Sequence, residues 1–134
     1  MKKLIPVLIF LALSGCFYNT SPTLTVESAA SALNDGDLET FDALLLEPAK
    51  DKLGNPQAFA ELRARFAGAN LNVGGAELIP AHDACGSRCT SKYYVPVLSG
   101  GAIVMRVWVT CIDTTTHTKE NEFTDHECYI TDAQ

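Results

Sequence analysis

The chain has 134 residues, 47% hydrophobic and 19% charged, with five cysteines and a formal net charge of -6. That length accommodates one domain and excludes a multidomain enzyme. The acidic balance excludes an electrostatic nucleic-acid binder, which needs a basic face.

Met1-Lys2-Lys3 is a short positive start, and Leu4 to Leu13 is an almost unbroken apolar run of ten residues. Ten residues are too few to span a bilayer as a helix. Leu13-Ser14-Gly15-Cys16 follows. A basic start, a short apolar core and small residues before a cut site form a secretory signal. The tetrad resembles the lipobox of bacterial lipoproteins, over the first sixteen residues. That resemblance implies cleavage before Cys16, lipidation of Cys16 and a membrane anchor made of acyl chains, whose burial contributes roughly 0.8 kcal/mol per CH₂. Phe17 stands where the family's inner-membrane retention signal has Asp, which implies the outer membrane and a periplasm-facing domain. The chain divides into a signal at 1–15, a lipidated cysteine and tether at 16–21, and one domain at 22–134. The five residues 17–21 reach about 17 Å when extended, so the domain sits close to its membrane.

Residues 21 to about 70 read as helical. Ser21-Pro22 is a cap followed by a proline whose missing N–H costs nothing at the first helical position. Val26, Ala29, Ala30 and Leu33 then recur at helical spacing, and Asn34-Asp35-Gly36 ends the run. Asp37 caps a second helix with Leu38, Phe41, Leu44 and Leu45 on one face, and Glu47-Pro48 stops it. A loop containing Gly54 precedes Asn55-Pro56, a third cap, and the stripe Phe59, Leu62, Phe66. Gly68 and Asn70 end that helix.

Residues 71–134 read as sheet. Leu71 to Ala81 predicts one strand and Thr90 to Leu98 a second. Gly100-Gly101 predicts a tight hairpin turn, because paired glycines accept positive φ. Ala102 to Asp113 is a third strand, rich in β-branched and aromatic residues. The polar run 114–126 reads as a loop, and Glu127 to Thr131 as a last strand. A two-residue turn sets Leu98 opposite Ile103, Tyr94 opposite Val107 and Tyr93 opposite Trp108. Pro96 removes a ladder donor, which predicts an edge or a bulge.

Helices followed by an antiparallel meander give an α+β domain, with N-terminal helices packed on a curved antiparallel sheet. The run Val26 to Phe41, with its Asn34-Asp35-Gly36-Asp37 break, resembles the opening of nuclear-transport-factor-2-like domains. Many small bacterial lipoproteins share that look. The resemblance implies a cystatin-like cone of helices and a bent sheet, and the cysteines depart from it. No catalytic residue of such enzymes aligns here, so none is carried over.

Four cysteines remain in the exported domain, and an even number in an oxidising compartment implies disulfides. Three pairings are possible. Cys85–Cys89 with Cys111–Cys128 is favoured, because Cys85 and Cys89 flank a short loop and Cys111 and Cys128 can bridge adjacent strands. In the two-residue register Cys89 and Cys111 point to opposite faces. Zinc is the competing reading of His82, Asp83, Cys85 and Cys89, and of His126-Glu127-Cys128. No CxxC pair occurs and exported thiols oxidise, so no metal or other cofactor is expected. His82, His117 and His126 offer acid–base groups, but solvated histidines are the commoner case and no catalysis is expected. Tyr93, Tyr94 and Trp108 are candidates for a binding surface. The expected function is binding, by a lipid-anchored envelope protein, of a protein partner or a small apolar ligand. The alternatives are an isomerase-like or hydrolase-like enzyme in a cone pocket, and an exclusion or immunity lipoprotein.

Overall fold

The computed structural model describes residues 19–80, 88–117 and 122–134. The signal, the lipobox and Cys16 lie outside the described residues, as do His82, Asp83 and Cys85. No helix among the described residues is long and apolar enough to cross a membrane.

Local chemistry sets the helix ends. In α1 (Pro22–Asp35), Ser21 Oγ accepts from the Leu24 N–H at 3.1 Å and Pro22 opens the first turn. Gly36, with φ of 72°, closes α1 in the left-handed conformation that favours glycine. Thr25, Val26, Ala29, Ala32 and Leu33 make its buried face. In α2 (Leu38–Ala43), Asp37 Oδ1 accepts from the Thr40 N–H, and the Thr40 hydroxyl donates to Oδ2 at 2.6 Å. Those bonds to the charged form, the hydroxyl first, hold the Asp37 carboxyl below the ordinary aspartate range.

After α2 the chain joins the sheet edge. Leu46 N–H donates to Ile130 O at 2.9 Å, and Ile130 N–H donates to Leu44 O at 2.8 Å. The expected loop before Asn55 instead contains a short helix, α3 (Ala49–Leu53). The second helix, expected to carry Leu44 and Leu45 and to stop at Glu47-Pro48, ends at Ala43: Leu45 bridges to Ile130 instead, and Pro48 caps the start of α3. Lys50 and Lys52 pin α3 to Asp42 and Asp132. α4 (Pro56–Arg65) begins at the Asn55 cap and packs Phe59 against Phe41, ring centroids 5.1 Å apart.

The sheet contains β1 (Leu71–Val73), β2 (Glu77–Ile79), β3 (Arg88–Ser99), β4 (Ala102–His117) and β5 (Glu122–Ala133). Its order is β1-β3-β4-β5, with β2 beside β1 on the same edge of β3 and every pairing antiparallel. The single strand expected at 71–81 is therefore two strands. Between them, Gly74 N–H donates to Pro96 O at 2.8 Å. A residue's N–H and C=O leave a strand on the same side, so the donor that Pro96 lacks falls at this interruption.

Two further expectations are corrected. Residues 114–117 and 122–126 are not loop: Thr114 to His117 pair with Asp125 to Glu122. Three consecutive threonines are polar but β-branched, and their strand preference prevails over their polarity. The turn does join Ser99 to Ala102, with Gly100 and Gly101 at φ of 59° and 83° and Leu98 opposite Ile103. A bulge between Val97 and Leu98 then shifts every later pair by one residue. Tyr94 consequently faces Trp108, and Tyr93 faces Val109.

The domain is thus α+β, with helices packed on the inner face of a curled antiparallel sheet. Its core joins Val95, Val97, Val107, Val109 and Ile130 to Val26, Leu33, Phe41, Phe59 and Leu62. Thr25 is the buried polar residue of that core, and its hydroxyl donates to Ser21 O at 2.7 Å.

Candidate functional site

Two places along α1 carry the candidate chemistry. The first is an open groove of about 860 Å³ between the C-terminal half of α1, the end of α4 and β1. Glu27, Ser31, Asn34, Arg63, Asn70 and Asn72 give it polar walls. Arg63 is held there, because its Nε donates to Leu33 O at 2.8 Å and its Nη2 to Asn34 O at 3.3 Å. Those carbonyls belong to the last turn of α1, where the helix dipole favours a cation. Ala30, Leu33, Phe66 and Leu71 line the groove and also an apolar cavity of about 50 Å³ beside it. That cavity lies between the helices and the sheet, and no carboxylate or imidazole lines it. Small-molecule sites commonly occupy about 300–1,000 Å³, so the cavity is too small to enclose such a ligand.

The second place is on the inner sheet face, where β4 and β5 extend beyond the core. Cys111 and Cys128 are direct register partners, with sulfurs 2.02 Å apart and a Cα–Cα distance of 3.9 Å. Both residues are buried. Two pairs further along, and so on the same face, Asp113 faces His126, and the His126 Nδ1–H donates to Asp113 Oδ1. The His126 Nε2 lies 3.5 Å from Cys128 Sγ. Glu127 alternates away from this row, and its Oε2 accepts from the Tyr129 hydroxyl at 2.8 Å. Burial and the neighbouring Glu127 carboxylate push the Tyr129 hydroxyl up from its ordinary value.

The edge of β5 here is closed by the N-terminal segment. Cys128 N–H donates to Asn19 O at 2.7 Å, and the Thr25 hydroxyl approaches Cys128 O at 3.4 Å. Asn19 is therefore already part of the folded body, so the tether expected over 16–21 is not free along its whole length. Three Cα steps separate Cys16 from Asn19, about 11 Å at full extension.

The sequence-predicted residues are partly regrouped. Cys89 is disulfide-bonded, and its expected partner Cys85 lies outside the described residues. The bulge puts Cys89 opposite Asp113 and Ser91 opposite Cys111. Cys89 and Cys111 consequently share a face, contrary to the register expected from the turn alone. The three aromatic candidates do not form one surface. Tyr93 packs on the inner side against the core. Tyr94 and Trp108 form a tilted pair on the outer side, ring centroids 5.7 Å apart. Asp113 was not among the sequence candidates, and only the shifted register reveals it as the partner of His126. No family model matches the chain, and no curated protein matches it at a significant level.

Proposed function

We propose that the chain is a lipid-anchored protein of the bacterial cell envelope that acts by binding a protein partner in the groove between α1 and β1. The observation that carries this reading is the groove itself. It is wide, polar-walled and floored by Leu33, Phe66 and Leu71, whereas the apolar cavity beside it holds only about 50 Å³. A polar rim around a small apolar floor is the anatomy of a protein-binding patch. The Leu13-Ser14-Gly15-Cys16 tetrad supports lipidation at Cys16, and Phe17 supports the outer membrane with the domain facing the periplasm. The cone of nuclear-transport-factor-2-like lipoproteins is the finer fold we assign to the helices and curled sheet.

Two measurements test the reading. Metabolic labelling with palmitate should mark the chain and leave a Cys16→Ala variant unlabelled; label on that variant would remove the anchor. A photo-crosslinking residue at Ala67, on the groove rim, should give a discrete adduct with an envelope protein, whereas the same residue at Lys92 on β3 should not. Equal adducts from both positions, or none from either, would remove the groove as the binding surface.

A further inference from the structure

The cluster beyond the core is unexplained by the groove. A disulfide between opposed strand residues needs neither an imidazole nor a carboxylate beside it. Here both are present and ordered. Asp113 takes the Nδ1–H of His126, which in the neutral ring leaves the lone pair on Nε2, 3.5 Å from Cys128 Sγ. A carboxylate on the outer nitrogen with the inner nitrogen free is how metal-binding histidines are held. Ligand atoms from Cys111, Cys128 and His126 all lie within 4.8 Å of one another.

We propose that reduction of the Cys111–Cys128 bond opens a site for a thiophilic divalent cation of the zinc type. Cys111 Sγ, Cys128 Sγ and His126 Nε2 are its ligands, and Asp113 is a positioning residue. Zinc–sulfur bonds of about 2.3 Å in a tetrahedral site set two thiolates about 3.8 Å apart, a separation that two cysteines with Cα atoms 3.9 Å apart can provide. The Asp113 and His126 side chains are 36% and 37% exposed, so the cation enters from their side and its fourth position opens to water. The steps balance. A dithiol reductant gives two electrons and two protons to the S–S bond and leaves as its own cyclic disulfide. The two protein thiols then release two protons as the cation binds. The bonded form offers no thiolate and holds no cation, so the site reports the redox state of this pair.

Cobalt(II) is the probe, because thiolate ligation gives it charge-transfer bands and tetrahedral coordination gives intense visible bands. The full chain is reduced anaerobically with a water-soluble phosphine. The phosphine takes its oxygen from water to become the phosphine oxide, so no chelating dithiol remains. One cobalt per chain should bind with both sets of bands, and zinc should displace it. The oxidised chain should show neither. Cys85→Ser/Cys89→Ser should keep the site. His126→Gln, at the rim of the fold, should lose at least tenfold in affinity, and Asp113→Asn should lose 10- to 100-fold. Far-UV circular dichroism accompanies each titration. The proposal is overturned by a reduced chain that binds no cobalt, folded or unfolded. It is equally overturned by unchanged affinity in His126→Gln, by equal binding to the oxidised chain, or by loss of the site in Cys85→Ser/Cys89→Ser.

Discussion

Breaking the Cys111–Cys128 bond without removing an atom isolates what the cross-link contributes. The background Cys16→Ala, Cys85→Ser, Cys89→Ser leaves these two as the only cysteines of the chain. The bonded residues are 17 apart in sequence. For a closed loop of that length the chain-entropy relation gives about 3 kcal/mol at 25 °C, acting by restricting the unfolded chain. Packing changes little on reduction, because the same two sulfurs stay buried on the inner face. Urea unfolding of the oxidised and reduced forms, with a chelator present, reads the difference directly. The expected result is about 3 kcal/mol lower stability for the reduced form. Its m-value should be higher, because the uncross-linked chain exposes more surface when unfolded. Small domains have roughly 5–15 kcal/mol to lose, so the reduced form should remain folded. A difference below about 1 kcal/mol with an unchanged m-value would refute the reasoning. It would mean that the β4–β5 hairpin already restricts the unfolded chain.

Three other outcomes follow from named contacts. Val109→Ala empties a fully buried position between β3 and β5 and should cost about 2 kcal/mol or more in chemical unfolding, with no change in m-value. Gly36→Ala places a Cβ at φ of 72° and 2.9 Å from Arg63 Nη1; it should cost about 1–2 kcal/mol and loosen Arg63 in the groove wall, measured by thermal unfolding and by crosslinking from Ala67. The Lys52 hydrogen bond holds the Asp132 carboxyl below its ordinary range and ties α3 to the end of β5. Its contribution is complete above the ordinary aspartate range and is lost as pH falls through the lower folded value. Asp132→Asn should therefore lower stability by under about 1 kcal/mol near neutral pH and not in strong acid, because the pair is largely exposed; equal losses at both pH values would count against the ion pair.

The starts of α1, α2 and α4 were legible because capping is local. Ser21-Pro22, Asp37 and Asn55-Pro56 each supply an oxygen to N–H groups three residues on, a chemistry contained in four residues. The Gly100-Gly101 turn was legible for the same reason. What followed it was not, because nothing in the two-residue turn signals the bulge at Val97/Leu98. One inserted residue changed the partner of every later position in β3. It moved Tyr94 opposite Trp108 and set Asp113 in the row of Cys89 and His126. The strand at Thr114 to His117 was hidden by polarity, and α3 by a proline that reads as a stop. The closeness of His126 to Cys128 was implicit in their two-residue spacing on a strand. Asp113 entered only with the register of β4 on β5.

The two candidate sites lie along α1, the cysteine cluster at its first turn and the groove from Glu27 to Asn34. α1 has 14 residues and is about 21 Å long. Its first turn is tied to β5, where the Thr25 hydroxyl approaches Cys128 O. Its last turn is tied to Arg63 and the groove. Asn19 is held against Cys128, so a lipid on Cys16 would be at most about 11 Å of chain from that strand. Under the proposed lipidation, the strand of Cys128 is therefore held within a short reach of the anchor by Asn19. A reductant for the Cys111–Cys128 pair has to work close to the membrane surface. Under that proposal the cysteine pair and the first turn of α1 are tied closely to the anchor, while the groove is tied to it only through the rest of the helix.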